Sequence, residues 1–194
     1  MDFRRITRPF AFLLNLVPYM RTSALLIVAV LFAGLALPAT AQSWKHQLAV
    51  NGGAQFPGGQ FDDAYKTGSG VAATYYYRPS SRFFFGLRGG YHRFKRRGNS
   101  RTLGIIPLHF ASKYNFALTG LQPYAGLDGG FYLLRPENGD GTSEFGLAPK
   151  IGLRIPLASG VDLDVNAMYE VILDDPDNQT YIGLNAGVAY IFGS

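Results

Sequence analysis

Between Gln47 and Phe192 bulky apolar residues alternate with small or polar ones in eight separate runs. The runs fall at about 44–55, 69–78, 82–94, 103–116, 121–134, 144–157, 161–172 and 180–192. A period of two over this length is a strand signature and excludes an amphipathic helix. It is plainest in the sixth and seventh runs. Phe145, Leu147, Pro149, Ile151, Leu153 and Ile155 take one face, while Glu144, Gly146, Ala148, Lys150, Gly152 and Arg154 take the other. In the seventh, Val161, Leu163, Val165, Ala167, Tyr169 and Val171 oppose Asp162, Asp164, Asn166, Met168 and Glu170.

The connections alternate as well. Pro79-Ser80-Ser81, Ala117 to Gly120 and Ala158-Ser159-Gly160 are short, whereas Phe56 to Gly68, Lys95 to Thr102, Arg135 to Ser143 and Leu173 to Gln179 are longer and polar. Such parity predicts an all-β fold, an eight-stranded antiparallel up-and-down barrel with two different ends. In transmembrane barrels of this kind short turns face the periplasm and longer loops face outward. Eight strands then put both termini on the periplasmic side.

Counting side chains decides which face is inside. The apolar face offers roughly thirty bulky residues, against about twelve in the packed core of an eight-stranded α/β barrel. The opposite face is rich in Gly and Ala, with Gly86, Gly90, Gly126, Gly130, Gly152, Gly183 and Gly187 among long ionic side chains. Glycines of this kind would weaken the exposed strands of a soluble barrel. They suit a crowded lumen. The apolar face is therefore assigned to lipid, and the barrel to a membrane.

Aromatic residues are expected in two girdles at the headgroup levels. Tyr75, Tyr77, Phe83, Phe85, Tyr114, Phe116, Tyr190 and Phe192 fall toward the turns; Phe61, Tyr91, Phe131, Phe145, Tyr169 and Tyr181 fall toward the loops.

The chain's start reads differently. Met20-Arg21-Thr22 precedes an apolar run from Ala24 to Leu37 and then Pro38-Ala39-Thr40-Ala41. Basic start, apolar centre and an A-x-A exit make a secretory signal peptide. Residues 1–41 are read as the leader, in which either translation starts at Met20 or residues 1–19 form an unusually long n-region, and residues 42–194 as the barrel domain. The apolar run is short for a retained helical anchor.

Removing the leader takes Arg4, Arg5, Arg8, Arg21 and Asp2 from the 18 bases and 13 acids, leaving 14 bases and 12 acids, a net charge of +2. That balance gives no reason to invoke nucleic acid. There is no cysteine, so thiol chemistry and Cys-based metal sites are excluded.

The inward-facing ionic residues are Arg88, His92, Lys113, Asp128, Glu144, Lys150, Arg154, Asp162, Asp164 and Glu170. Charges removed from water need partners. A lumen network is expected of Arg88, Lys113, Asp128, Lys150, Arg154, Asp162, Asp164 and Glu170, with Arg88, Lys150 and Arg154 facing Asp128, Asp162 and Asp164. The alternative is a narrow pore or proton relay.

Catalysis finds little support. His46, His92 and His109 lack metal-ligand spacing, and Ser43 with His46 is the one close Ser/His pair. No cofactor is expected. The basic stretch Arg93-Phe94-Lys95-Arg96-Arg97 is a solvated loop whose Lys95, Arg96 and Arg97 could meet lipopolysaccharide phosphates or other polyanions.

Ile106-Pro107-Leu108 running to Lys113-Tyr114, the segment Leu121-Gln122-Pro123-Tyr124-Ala125-Gly126, and the ending Gly183 to Phe192 resemble the outer membrane protein β-barrel domain family. These are small barrels similar to the transmembrane domain of OmpA and to OmpX. The resemblance covers essentially the whole mature chain. It implies location in the bacterial outer membrane, contact with its lipid, and insertion by the barrel assembly machinery, which reads an aromatic-ending last strand. Tyr190 and Phe192 carry that assembly signal here, although Gly193-Ser194 follow. A monomer is expected, without a cell-wall tether. The expected role is structural or surface-interacting rather than enzymatic. Solute transport is the alternative; a lipid-modifying enzyme and a soluble periplasmic ligand-binding barrel rank below it.

Overall fold

Period-two patterning folds as eight antiparallel strands: β1 (Lys45–Gly58), β2 (Gly68–Arg78), β3 (Phe83–Lys95), β4 (Thr102–Asn115), β5 (Gln122–Pro136), β6 (Thr142–Ala158), β7 (Val161–Leu173) and β8 (Gln179–Phe192). This is a computed structural model, and it describes residues 45–98, 100–137, 139–174 and 177–193. The leader read at 1–41, its cleavage point and Ser43 lie outside the described residues.

Each strand pairs with its sequence neighbour, and β8 returns to β1, with His46 opposite Phe192 and Gly58 opposite Thr180. Closure leaves no unpaired sheet edge, which is what a bilayer demands of a strand-built span. Among the described residues no helix is long and apolar enough to cross a membrane, which says nothing against crossing with strands.

The faces divide as the alternation requires. Leu48, Val50, Val71, Leu87, Leu108, Phe110, Leu127, Ile151 and Leu184 are exposed on the outer wall. Arg88, Lys113, Asp128, Lys150, Arg154, Asp162, Asp164 and Glu170 are buried inside. A wall exposing its large apolar side chains while burying its charges is inverted for water and correct for lipid.

Small inward residues make the crowding possible. A Cβ at Gly152 would lie 2.7 Å from Cε1 of Tyr124, so the missing side chain is the space the ring occupies. Gly160, with φ 75°, closes the turn between β6 and β7 in a conformation glycine adopts without strain.

The strands run further than the sequence indicates, and the loops shrink accordingly. Arg135 and Pro136 belong to β5, Thr142 and Ser143 to β6, and Lys95 to β3. The β4–β5 connection, residues 116–121, is as long as the β3–β4 connection at 96–101. Hairpin pairing simply continues beyond the apolar band. The segment read as a loop at 56–68 contains a short helix, α1 (Gln60–Ala64). It is fastened from below by Lys66 N–H donating to Lys95 O and Arg97 N–H donating to Ala64 O.

Two aromatics assigned to the outer girdle lie inside. Phe61 on α1 and Tyr181 on β8 are 4% and 0% exposed. They join Phe94, Leu103, Ile105, Tyr132, Leu134 and Ile172 in an apolar plug at the loop end of the lumen. Tyr181 follows inward parity along β8 with Gly183, Asn185 and Ala189; Phe61 is turned inward by α1. The interior is therefore not ionic throughout: apolar at the loop end, ionic across the middle and toward the turns.

Candidate functional site

One inward ion pair spans the barrel, and two others join neighbouring strands. Arg88 on β3 donates from Nη1 to Oε1 of Glu170 on β7 at 3.1 Å. Glu170 Oε2 also accepts from the Tyr132 hydroxyl. Lys150 on β6 lies 2.5 Å from Asp128 on β5 and donates to the Tyr76 hydroxyl at 2.9 Å. Arg154 Nε donates to Asp162 Oδ2 at 3.1 Å, and Nη2 of the same guanidinium joins the pair.

The arrangement differs from the expected one at two places. Arg88 takes Glu170, since its long side chain reaches the opposite wall. Asp164 has neutral donors instead: Tyr124 hydroxyl at 3.0 Å, Asn166 at 2.8 Å and Asn51 at 3.2 Å. Arg154 is level with Asp164 in the ladder yet bonds Asp162, two positions along. Lys113 donates to Gln47 Oε1 at 2.8 Å, its ammonium 4.3 Å from the Tyr76 ring centre and 4.8 Å from that of Phe84. Cation–π attraction strengthens on desolvation.

Four buried cations, Arg88, Lys113, Lys150 and Arg154, thus share the lumen with four buried acids, Asp128, Asp162, Asp164 and Glu170. An amide chain extends the network: Gln55 donates to Asn185 at 2.9 Å, Asn185 to Asn166 at 3.2 Å, and Asn166 to Asp164. The expected lumen network leaves these amides out, although each sits at an inward position and Asn166 reads as inward in the sequence. The void among Asn51, Arg88, His92, Asp128 and Asp164 is about 20 Å³, room for about one water.

Among the described residues, His46 stands apart on the outer wall, whereas His92 and His109 are buried together beside Glu170. Tyr75 hydroxyl lies 2.7 Å from Nδ1 of His46, so that ring is engaged on the outer wall. His92 Nδ1 is 2.9 Å from the Tyr181 hydroxyl, and His109 packs edge-on against Tyr132. Among the described residues no three His, Cys, Asp or Glu side chains group to hold a metal. Glu144 is half-buried near the start of β6.

The basic stretch is divided by the fold. Arg93 and Lys95 project from the outer wall of β3 at its loop end, while Phe94 points into the plug. Arg96 is exposed, its N–H bonded to Arg101 O. Arg97 is already paired: Nη2 donates to Asp62 Oδ1 at 2.7 Å and Nε to Asp62 O at 2.7 Å. Arg135, read from the sequence as the start of a loop, joins the rim from β5. Arg93 and Arg135 stand level on either side of Gly104 on β4, their Cα atoms roughly 10 Å apart by strand spacing. The Tyr91 ring covers Gly104, 3.0 Å from where a Cβ would stand.

At the opposite end, Phe192 stacks on Tyr190 at 5.9 Å between ring centres and on His46 at 5.7 Å.

An apolar outer wall, an interior holding buried ion pairs and full closure define an outer-membrane β-barrel. The chain belongs to the outer membrane protein beta-barrel domain family, which matches residues 27–192. Among solved structures it is similar to Neisserial surface protein A, at 19% identity and TM-score 0.63, covering 78% of this chain and 100% of that one. OprG from Pseudomonas aeruginosa matches at 14% identity and TM-score 0.54, over 79% of this chain and 98% of that one. Ail, the attachment invasion locus protein of Yersinia pestis, solved with the heparin analogue sucrose octasulfate, matches at 15% identity and TM-score 0.52, over 78% and 100%. At these identities the likeness is one of fold. No curated protein matches the sequence.

Proposed function

We propose that this barrel is a surface-interaction protein whose lumen is a structural plug and whose basic loop-end rim binds anionic groups, the phosphates of lipopolysaccharide foremost. The observation that carries this reading is the pair Arg93 and Arg135, both exposed on the outer wall and level across Gly104. Lys95 and Arg96 extend the same patch. Cations at this height gain about 1 kcal/mol each from anionic headgroups nearby, and their alkyl stems can lie along the apolar wall below. Ail, which shares the fold, was solved in complex with a heparin analogue, sucrose octasulfate.

A void of about 20 Å³ supports a plug over a pore. The burial of His92 and His109 inside the lumen, closed off from a substrate, supports binding over catalysis. Export through the leader at 1–41, insertion guided by Tyr190 and Phe192, and a monomeric state belong to the same reading.

The test is binding of the folded barrel to vesicles with and without lipopolysaccharide over a range of salt. Wild-type protein is expected to favour the lipopolysaccharide vesicles and to lose that preference as salt rises. R93Q/K95Q/R135Q should weaken the preference about tenfold or more. Unchanged binding by this variant would remove the proposal.

A further inference from the structure

One buried member of the apolar plug does not belong to the barrel wall. Phe94, Leu103, Ile105, Tyr132, Leu134, Ile172 and Tyr181 stand on strands that are paired on both sides. Phe61 enters instead from α1, within the β1–β2 connection. Its ring centre lies 4.7 Å from that of Tyr65, 5.1 Å from that of Phe94 and 6.2 Å from that of Tyr181. The rings are tilted or edge-on to it, the arrangement aromatic groups prefer.

The segment that carries this ring is held differently from the wall. α1 has five residues and no side-chain cap at its N-terminus, and a helix of one turn has little stability of its own. It is tied to the β3–β4 end by Lys66 N–H to Lys95 O, by Arg97 N–H to Ala64 O, and by the exposed Asp62–Arg97 ion pair. Glycines bound the segment, Gly58 and Gly59 before it and Gly68 after it. Gly59 has φ 55°, in the left-handed region that favours glycine. Segments with few buried contacts and exposed hydrogen bonds open locally while the core stays folded. Rotation at Gly58 and Gly59 lifts α1 and withdraws the Phe61 ring, leaving every strand ladder intact.

We infer that the loop-end plug is a binding chamber for a small neutral aromatic molecule, and that Phe61 is the occupant the chain supplies for itself. The ligand takes the place of the Phe61 ring as α1 swings out. Its size is set by the group it replaces, a single six-membered ring with short substituents. Phe94 and Tyr181 remain on the wall to pack against it, beside Leu103 and Leu134. Charge is excluded, because the buried hydroxyls of Tyr132 and Tyr181 already bond Glu170 and His92. An ionic ligand would be buried there without a partner. The chamber is also blind. Deeper in the lumen, Arg88, His92, Asp128 and Asp164 enclose a void of about 20 Å³, room for about one water. The ligand is therefore captured rather than passed through. This goes beyond the polyanion reading, which concerns the outer wall and needs only a closed lumen.

The experiment titrates the folded full chain in non-ionic micelles with fluorobenzene. It follows the amide resonances of Leu103, Ile172 and Tyr181 in the plug and of Leu127 and Val188 on the outer wall. Partition into the micelle moves the outer-wall signals without saturation. Binding moves the plug signals to a plateau, and at that plateau amide exchange at residues 61–66 should speed up by a few-fold. Benzoate, the charged counterpart, should give no plateau. Displacement is tested with A64C/R97C, since a backbone hydrogen bond joins Ala64 to Arg97 and the chain has no other cysteine. The reduced form should bind as wild type does. With the disulfide formed, α1 is held down and apparent affinity should fall about tenfold or more. Gel mobility before and after boiling confirms that each form is folded. Three results would each overturn the proposal: no plateau at the plug in wild-type protein, a plateau with unchanged exchange at residues 61–66, or equal affinity of the reduced and disulfide forms.

Discussion

Arg88 and Glu170 meet at 3.1 Å from opposite walls of the barrel, the guanidinium on β3 donating to the carboxylate on β7, both almost wholly buried. Removing one partner strands the other charge in a closed interior, an effect of about 3–5 kcal/mol. Glu170→Leu is therefore expected to lower unfolding free energy in lipid vesicles by about that amount. Tyr132, which donates its hydroxyl to Glu170, loses its acceptor as well. R88M/E170L removes both charges and should recover most of the loss. A double variant no more stable than Glu170→Leu alone would show that the pair contributes no coupling.

Gly152 and Tyr124 stand level in the β5–β6 ladder, and the ring lies over the glycine. An alanine there pushes the ring away and weakens the 3.0 Å hydrogen bond from its hydroxyl to Asp164. Overpacking of this kind costs about 1–3 kcal/mol. Gly152→Ala should destabilise wild type by that much, and should do so far less once Tyr124→Ala has removed the ring. Additive losses in the double variant would mean that the glycine serves something other than the tyrosine.

The same contacts show what could be read from sequence. Alternation placed Arg88, Lys150 and Asp162 inside because period two has only two faces, and the bulky count settled which was which. Partners were harder. Arg154 is level with Asp164 yet bonds Asp162, and Arg88 spans the lumen, because strand tilt and side-chain length decide who meets whom. Phe61 and Tyr181 were assigned to the girdle since both lie near strand ends. Tyr181 could have been found by extending the parity of Asn185 and Gly183 two residues back. Phe61 could not, because its direction is set by α1, five residues long and held by bonds to β3. Arg135 falls past the end of the apolar alternation and so reads as loop, which hides the pairing of Arg93 and Arg135 across Gly104.

Asp62 and Arg97 hold α1 to the β3–β4 connection at 2.7 Å, with side chains 53% and 49% exposed. At that exposure the ion pair contributes about 0–1 kcal/mol to global stability. Asp62→Asn should leave the urea midpoint nearly unchanged. Locally the pair works beside two backbone bonds, Lys66 to Lys95 and Arg97 to Ala64, so amide exchange at residues 61–66 should speed up by a few-fold. A global loss equal to the local one would mean that α1 and the plug beneath it unfold as one unit.

Phe192 has two possible roles in the same ring, and His46 separates them. Folded, the ring stacks on His46 and Tyr190 while staying 40% exposed. Such a stack contributes about 0.5–1.5 kcal/mol. His46→Ala removes the His46–Phe192 stack from the β1 side without touching the last strand. Both Phe192→Ala and His46→Ala should therefore refold into micelles with similar, small losses of stability. In cells the two should diverge if the last strand's aromatic ending guides assembly: outer-membrane levels of Phe192→Ala should fall severely, while those of His46→Ala stay near wild type. Measuring heat-modifiable barrel in outer-membrane fractions gives the answer. Equal levels for the two variants would reduce Phe192 to a packing residue, and a fall in both would place the requirement in the closed β1–β8 seam.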